Sequence, residues 1–95
     1  MATTVGLVHL KFHVAQASSL KDKRRALKSF KDRLKNTFNV SIAEVDGADN
    51  RRWAVVAVAM TGSDKRHVEG ALQRVINAAE RDRNMILVDR EIAWL

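Results

Sequence analysis

The stretch Leu7-Val8-His9-Leu10-Lys11-Phe12-His13-Val14-Ala15-Gln16-Ala17-Ser18-Ser19-Leu20-Lys21-Asp22-Lys23-Arg24-Arg25 decides the fold, because its hydrophobic period changes midway. Val8, Leu10, Phe12 and Val14 alternate with Leu7, His9, Lys11 and His13, the period of two that marks a half-buried strand. Beyond Ser19 the period lengthens: Leu20, Leu27, Phe30, Leu34 and Phe38 fall on one arc of a helix. Ala17-Ser18-Ser19 lies between the two patterns and supplies the helix cap. A strand that runs straight into a helix is the first half of a βαβ unit.

Working outward, Val40–Val45 is short and β-branched and reads as a second strand. Asp46-Gly47-Ala48-Asp49-Asn50 is turn chemistry, with Gly47 or Asn50 suited to positive φ. Trp53–Thr61 is a third strand, apolar on both faces. Ser63 or Asp64 caps a second helix whose core arc is Val68, Ala71, Leu72, Val75, Ile76 and Ala79. The turn Arg81-Asp82-Arg83-Asn84 ends that helix, and a fourth strand follows with Ile86, Val88, Ile92 and Trp94 on one face. The order β-α-β-β-α-β, with right-handed crossovers, predicts an α+β ferredoxin-like sandwich. Its four-stranded antiparallel sheet would carry both helices on one face, with the first and third strands central.

Length and composition bound the rest. Ninety-five residues, 46% of them hydrophobic and 29% charged, make one globular domain over residues 1–95. No run of eighteen apolar residues is present, so no membrane partner is expected. Met-Ala-Thr-Thr lacks the features of a signal peptide, and the expected location is the cytoplasm. With no cysteine there is no disulfide, thiolate catalysis or cysteine-ligated zinc.

The net charge of +6 is localised. Between Leu20 and Asn36 stand eight basic residues, Lys21, Lys23, Arg24, Arg25, Lys28, Lys31, Arg33 and Lys35, against only Asp22 and Asp32; elsewhere nine basic and nine acidic residues cancel. Charge gathered on one element points to a polyanionic partner. Arg24, Lys28, Lys31 and Lys35 recur at i, i+4, i+7 and i+11 and form a ridge about 16 Å long, which Lys21 and Arg25 widen. Such a ridge can touch several phosphates of RNA. Lys21, Lys23 and Arg24 also sit in the first turn, where the helix dipole disfavours cations. With the Ser18 and Ser19 hydroxyls they would suit a phosphate there. Lys23 falls within the apolar arc by wheel angle, so its ammonium must either snorkel toward the helix end or find an acid elsewhere.

Two longer strings carry a resemblance. Ser19-Leu20-Lys21-Asp22-Lys23-Arg24-Arg25 and Phe38-Asn39-Val40-Ser41-Ile42-Ala43-Glu44-Val45-Asp46, with the Trp53 strand and His67-Val68-Glu69, resemble the YlxP-like family of small uncharacterised bacterial proteins. The resemblance implies a ferredoxin-like fold and a cytoplasmic bacterial setting. Members are often encoded beside translation and ribosome-assembly factors, so it also implies association with RNA or a ribosomal particle. It assigns no reaction and no catalytic residue.

The chain shows no catalytic signature, and the expectation is a non-enzymatic protein without cofactor or metal. Phe12, Phe30, Phe38 and Trp94 belong to core faces, which leaves Trp53 as the single aromatic for an open sheet face and speaks against base stacking there. Ala15–Ser19 has neither the glycine nor the arginine of an acylphosphatase phosphate loop. His9 and His13 are about 13 Å apart along a strand, too far to share a metal; they are expected beside Asp89 and Glu91. Glu44 and Asp46 read as solvated turn carboxylates. Finally, Trp53, Val55, Ala57 and Ala59 should face away from the helices together with Leu7, Val45 and Leu87. A patch of that kind is seldom left bare, and a protein-interaction module that binds through it, most simply as a two-fold homodimer and otherwise by docking a different protein, is the expected alternative.

Overall fold

The computed structural model describes Met1–Leu95 and contains six elements in the order β1 (Thr4–His13), α1 (Leu20–Thr37), β2 (Ser41–Asp46), β3 (Trp53–Gly62), α2 (Lys65–Glu80) and β4 (Ile86–Trp94). The sheet order is β2-β3-β1-β4 with every neighbouring pair antiparallel, the ferredoxin-like arrangement. No helix is long and apolar enough to cross a membrane.

The period-two residues make the sheet's inner face. Val8, Leu10 and Phe12 of β1 and Ala54, Val56 and Val58 of β3 are fully buried. The helices close over them with Leu27, Phe30 and Leu34 from α1 and Val68, Leu72, Val75 and Ile76 from α2. Phe12 and Phe30 meet edge to face, ring centroids 5.2 Å apart, and tie β1 to α1. Gly6 lets α2 close on β1: a Cβ there would lie 2.7 Å from Leu72 Cδ1 and 2.9 Å from Val68 Cγ1.

Two bulges set which side chains face which way. Lys11 pairs with Asp89 and Phe12 with Leu87, so Val88 is left over on β4. This corrects the expected face of the fourth strand. Leu87 turns inward onto the core while Ile86 and Val88 are exposed; Ile92 and Trp94, beyond the bulge, pack inward as expected. At the opposite edge Glu44 pairs with Val56 and Asp46 with Val55, so Val45 is the extra residue. Glu44, two residues from the inward-facing Ile42 and ahead of the bulge, lies on the helix side of the sheet, where it meets Lys23 of α1.

Candidate nucleic-acid interface

α1 begins where Ser19 leaves the helix geometry: its backbone is extended and its hydroxyl accepts the Asp22 N–H at 3.1 Å. Asp22 answers by accepting the Ser18 N–H at 3.1 Å and the Ser18 hydroxyl at 2.6 Å. This reciprocal cap places a carboxylate of the chain itself at the positive end of the helix dipole. The hydrogen bonds from the Ser18 hydroxyl and N–H, with smaller help from Arg25, hold the Asp22 carboxyl below its ordinary value of 3.8. Ser18 and Ser19 are therefore engaged in capping. The expected anion site at this helix end is already filled by Asp22.

Lys23 needs a second correction. Its side chain is completely buried, and its ammonium donates to Glu44 Oε2 at 2.9 Å, to the Gly47 carbonyl at 2.6 Å and to the Trp53 carbonyl at 3.2 Å. An ammonium with all three protons bound inside the protein has none for a phosphate. Lys23 lies among apolar residues, as its wheel angle requires; its partner Glu44 points inward in alternation with Ile42, so Glu44 is no solvated turn residue. Gly47 takes φ of 81°, and so aims its carbonyl back at Lys23.

The other named cations remain on the surface. Lys21, Arg24, Arg25, Lys28 and Lys35 are exposed and Lys31 is half-buried. Four ion pairs exist in the protein, and of these six residues only Lys28 is in one, with Asp32 at 2.8 Å. The hydrogen bond that Lys28 donates to Asp32 raises the Lys28 pKa above 10.5 and lowers that of Asp32 below 3.8. An exposed i,i+4 pair of this kind is worth only about 0.3–0.5 kcal/mol, so a phosphate can displace the carboxylate.

A second basic region lies between the helices. α1 and α2 run antiparallel, and a groove of about 890 Å³ opens between the last two turns of α1 and the end of α2. Arg33, Arg74, Arg81 and Arg83 line it, with Asp82 as its one carboxylate. At roughly 100° per residue, Arg33 lies about 170° around α1 from the ridge. None of the four stands out in the sequence as a site: they are spread over two helices and a turn, and only the fold collects them.

On the outer sheet face, Trp53, Val55, Ala57 and Ala59 are half-buried beside Leu7. The face also carries charged and polar side chains, and the β4 bulge leaves Ile86 and Val88 exposed in place of Leu87. His9 stands between Ala57 and Glu91, Lys11 stands between Val55 and Asp89, and the Lys11 ammonium lies 5.5 Å from the Trp53 ring centre. Leu87 is absent from it because of the β4 bulge. His13 meets Ile86 across the strands rather than an acid.

Among solved structures, the fold resembles a de novo designed protein, Foldit4, at a TM-score of 0.55 and 18% identity over 98% of this chain and 96% of that one. An amidase of the hydantoinase/carbamoylase family from Burkholderia phymatum matches at 0.59 and 12% identity, over 99% of this chain and 28% of that one. A C-terminal segment of the alpha subunit of aIF2 from Pyrococcus abyssi matches at 0.54 and 16% identity, over 100% of this chain and 51% of that one. Identities this low show a shared fold and nothing more. The uncharacterized protein YlxP of Bacillus subtilis (strain 168) is 35% identical over 72 residues, covering 76% of this chain and 78% of that protein. The family model for DUF503, proteins of unknown function, matches residues 5–92, and the chain belongs to that family.

Proposed function

We propose that the protein is a non-enzymatic cytoplasmic RNA-binding protein, associated with a ribosomal particle, that contacts phosphates through the outer flank of α1. The observation that carries the reading is the set Lys21, Arg24, Arg25, Lys31 and Lys35, none with a carboxylate within 4.0 Å. Four phosphate contacts along the ridge of Arg24, Lys28, Lys31 and Lys35 give a log–log salt slope of about −3, which is roughly a sixtyfold loss of affinity between about 50 and 200 mM salt. Contacts made to phosphates carry no sequence information, so sequence preference is weak.

The test is fluorescence anisotropy with a labelled RNA hairpin across a salt series, together with sedimentation of the protein with ribosomal particles. Arg24→Glu/Lys28→Glu/Lys31→Glu/Lys35→Glu abolishes both associations; retention by that variant refutes the assignment. The second reading, a homodimer through Trp53, Val55, Ala57 and Ala59, is favoured by the absence of any layer over that sheet face. Light scattering at high concentration decides it: a strict monomer removes it.

A further inference from the structure

The groove between α1 and α2 has a composition that solubility does not explain. Its floor is apolar, formed by the buried Phe30 and Leu34 with the half-buried Phe38 and Ala78. Arginines stand along its walls. Arg33 donates to Asp82 and, at 3.0 Å, to the Ser29 hydroxyl, which fixes its guanidinium. Asp82 is itself immobilised: its side chain is buried and accepts the N–H groups of Asn84 at 2.8 Å and Met85 at 2.9 Å. The one carboxylate of the groove therefore serves to position one of its arginines. Arg74, Arg81 and Arg83 have no carboxylate within 4.0 Å. Arg74 lies 6.0 Å from the centre of the Phe38 ring, so a guanidinium plane and an aromatic face occupy the same wall.

We infer that this groove binds a nucleoside phosphate with its base unpaired. The arginine forks match phosphate oxygens bidentately, and the net charge of +3 on the lining demands an anion. A bare inorganic anion would leave Phe38, Ala78 and the floor unused. A planar base fills that space by stacking on Phe38 or Arg74. Thr37, Asn77 and Asn84 border the groove with neutral polar groups, which suit a base edge better than a second acid. The volume, about 890 Å³, falls within the range of small-ligand sites, roughly 300–1,000 Å³. A base inside a duplex cannot reach the floor, so paired RNA leaves the groove empty. Because the groove opens beside Arg33, on the flank of α1 opposite the ridge, the inference stands apart from the phosphate-backbone reading.

The experiment is amide chemical-shift mapping of the whole protein with four probes: AMP, a six-nucleotide single-stranded RNA, a blunt RNA duplex and an acidic hexapeptide. AMP and the single strand shift the amides of Thr37, Asn77, Ala78 and Asn84, while the duplex and the peptide do not. Arg74→Ala/Arg81→Ala weakens both interactions by at least about tenfold, since each lost charge-assisted contact is worth about that factor. Arg74→Lys/Arg81→Lys, which keeps the charge and loses the forks, falls between. The glutamate ridge variant retains the groove shifts, so failure of the ridge and failure of the groove are read separately. Equal affinity for AMP and the single strand assigns the site to a free nucleotide. A single strand bound at least tenfold tighter assigns it to an unpaired nucleotide of RNA. The proposal is overturned if neither nucleotide probe shifts the groove amides at millimolar concentration, or if the acidic peptide shifts them equally.

Discussion

Replacing Lys23 by methionine separates a structural cation from a functional one. The substitution keeps most of the aliphatic stem and removes an ammonium that holds Glu44, the Gly47 carbonyl and the Trp53 carbonyl. Breaking a buried pair by deleting one partner costs about 3–5 kcal/mol. Two features reduce that here. The Glu44 side chain keeps 18% of its exposure, so water can partly solvate the orphaned carboxylate. The Gly47 carbonyl also accepts the Asn50 N–H at 2.9 Å and retains one partner. We expect a loss of about 2–4 kcal/mol, a large share of the ~5–15 kcal/mol that stabilises such a domain. At about 4–8 °C per kcal/mol, Tm falls by at least ~10 °C. The assay is urea denaturation of Lys23→Met, Glu44→Leu and the double variant. Removing both charges restores much of the stability, because a well-packed apolar pair replaces a buried ion pair at little net cost. The RNA salt slope of Lys23→Met, measured below its Tm, stays that of the parent. A cost under about 0.5 kcal/mol, or simple additivity of the two single changes, refutes the burial argument.

Three further outcomes follow from local geometry. Gly47→Ala forces φ of 81° on a residue with a Cβ 2.9 Å from the Trp53 ring and 3.0 Å from the Trp53 carbonyl, and costs about 1–3 kcal/mol in urea denaturation. Gly6→Ala overpacks the contact with Leu72, Trp94 and Val68 and costs about 1–3 kcal/mol, read as a lower Tm. The depressed pKa of Asp22 gives a sign for acid. The stability it contributes is fully present above the unfolded value near 3.8 and is lost as pH falls through the lower folded value, so the urea-midpoint difference between the parent and Asp22→Asn shrinks below that pH. A difference that stays constant from pH 7 to pH 2 contradicts the capping role.

The sheet and helices were legible because one face of each is buried and the other is not. Period two in β1 and period 3.6 in α1 and α2 record that directly, as does the strand order that follows from two βαβ halves. What the pattern could not carry was the bulge. Val88 and Val45 are ordinary strand residues, and nothing local says that each lacks a partner; the shift arises from how neighbouring strands and the covering helices share their space. The extra Val88 alone reverses Leu87, whereas Glu44 keeps plain alternation with Ile42 and so faces α1. The wheel position of Lys23 is visible in the sequence, but an acid 21 residues away on another element leaves no local trace. The arginines of the groove were invisible for a related reason. In the sequence Arg33 is one cation among the many of its own helix, and Arg81 and Arg83 belong to a helix-ending turn.

The placement of charge constrains how an anion can approach. With Asp22 closing the dipole end of α1, the helix offers no axial site, and a phosphate must come from the side, along exposed lysines and arginines that hold it by charge alone. Contacts of that sort are salt-labile and indifferent to base identity. The groove on the other flank has an apolar floor and one arginine locked by a saturated carboxylate, so its contacts depend on shape as well as charge. The two surfaces therefore have distinguishable signatures in solution. Raising the salt removes the ridge interaction steeply, whereas at fixed salt, deleting the base from a bound nucleotide removes much of the groove interaction and leaves the ridge unchanged. Ribose 5-phosphate in place of AMP is the comparison that reads the second effect. Equal affinity for the two would mean that the groove, like the ridge, reads only phosphate.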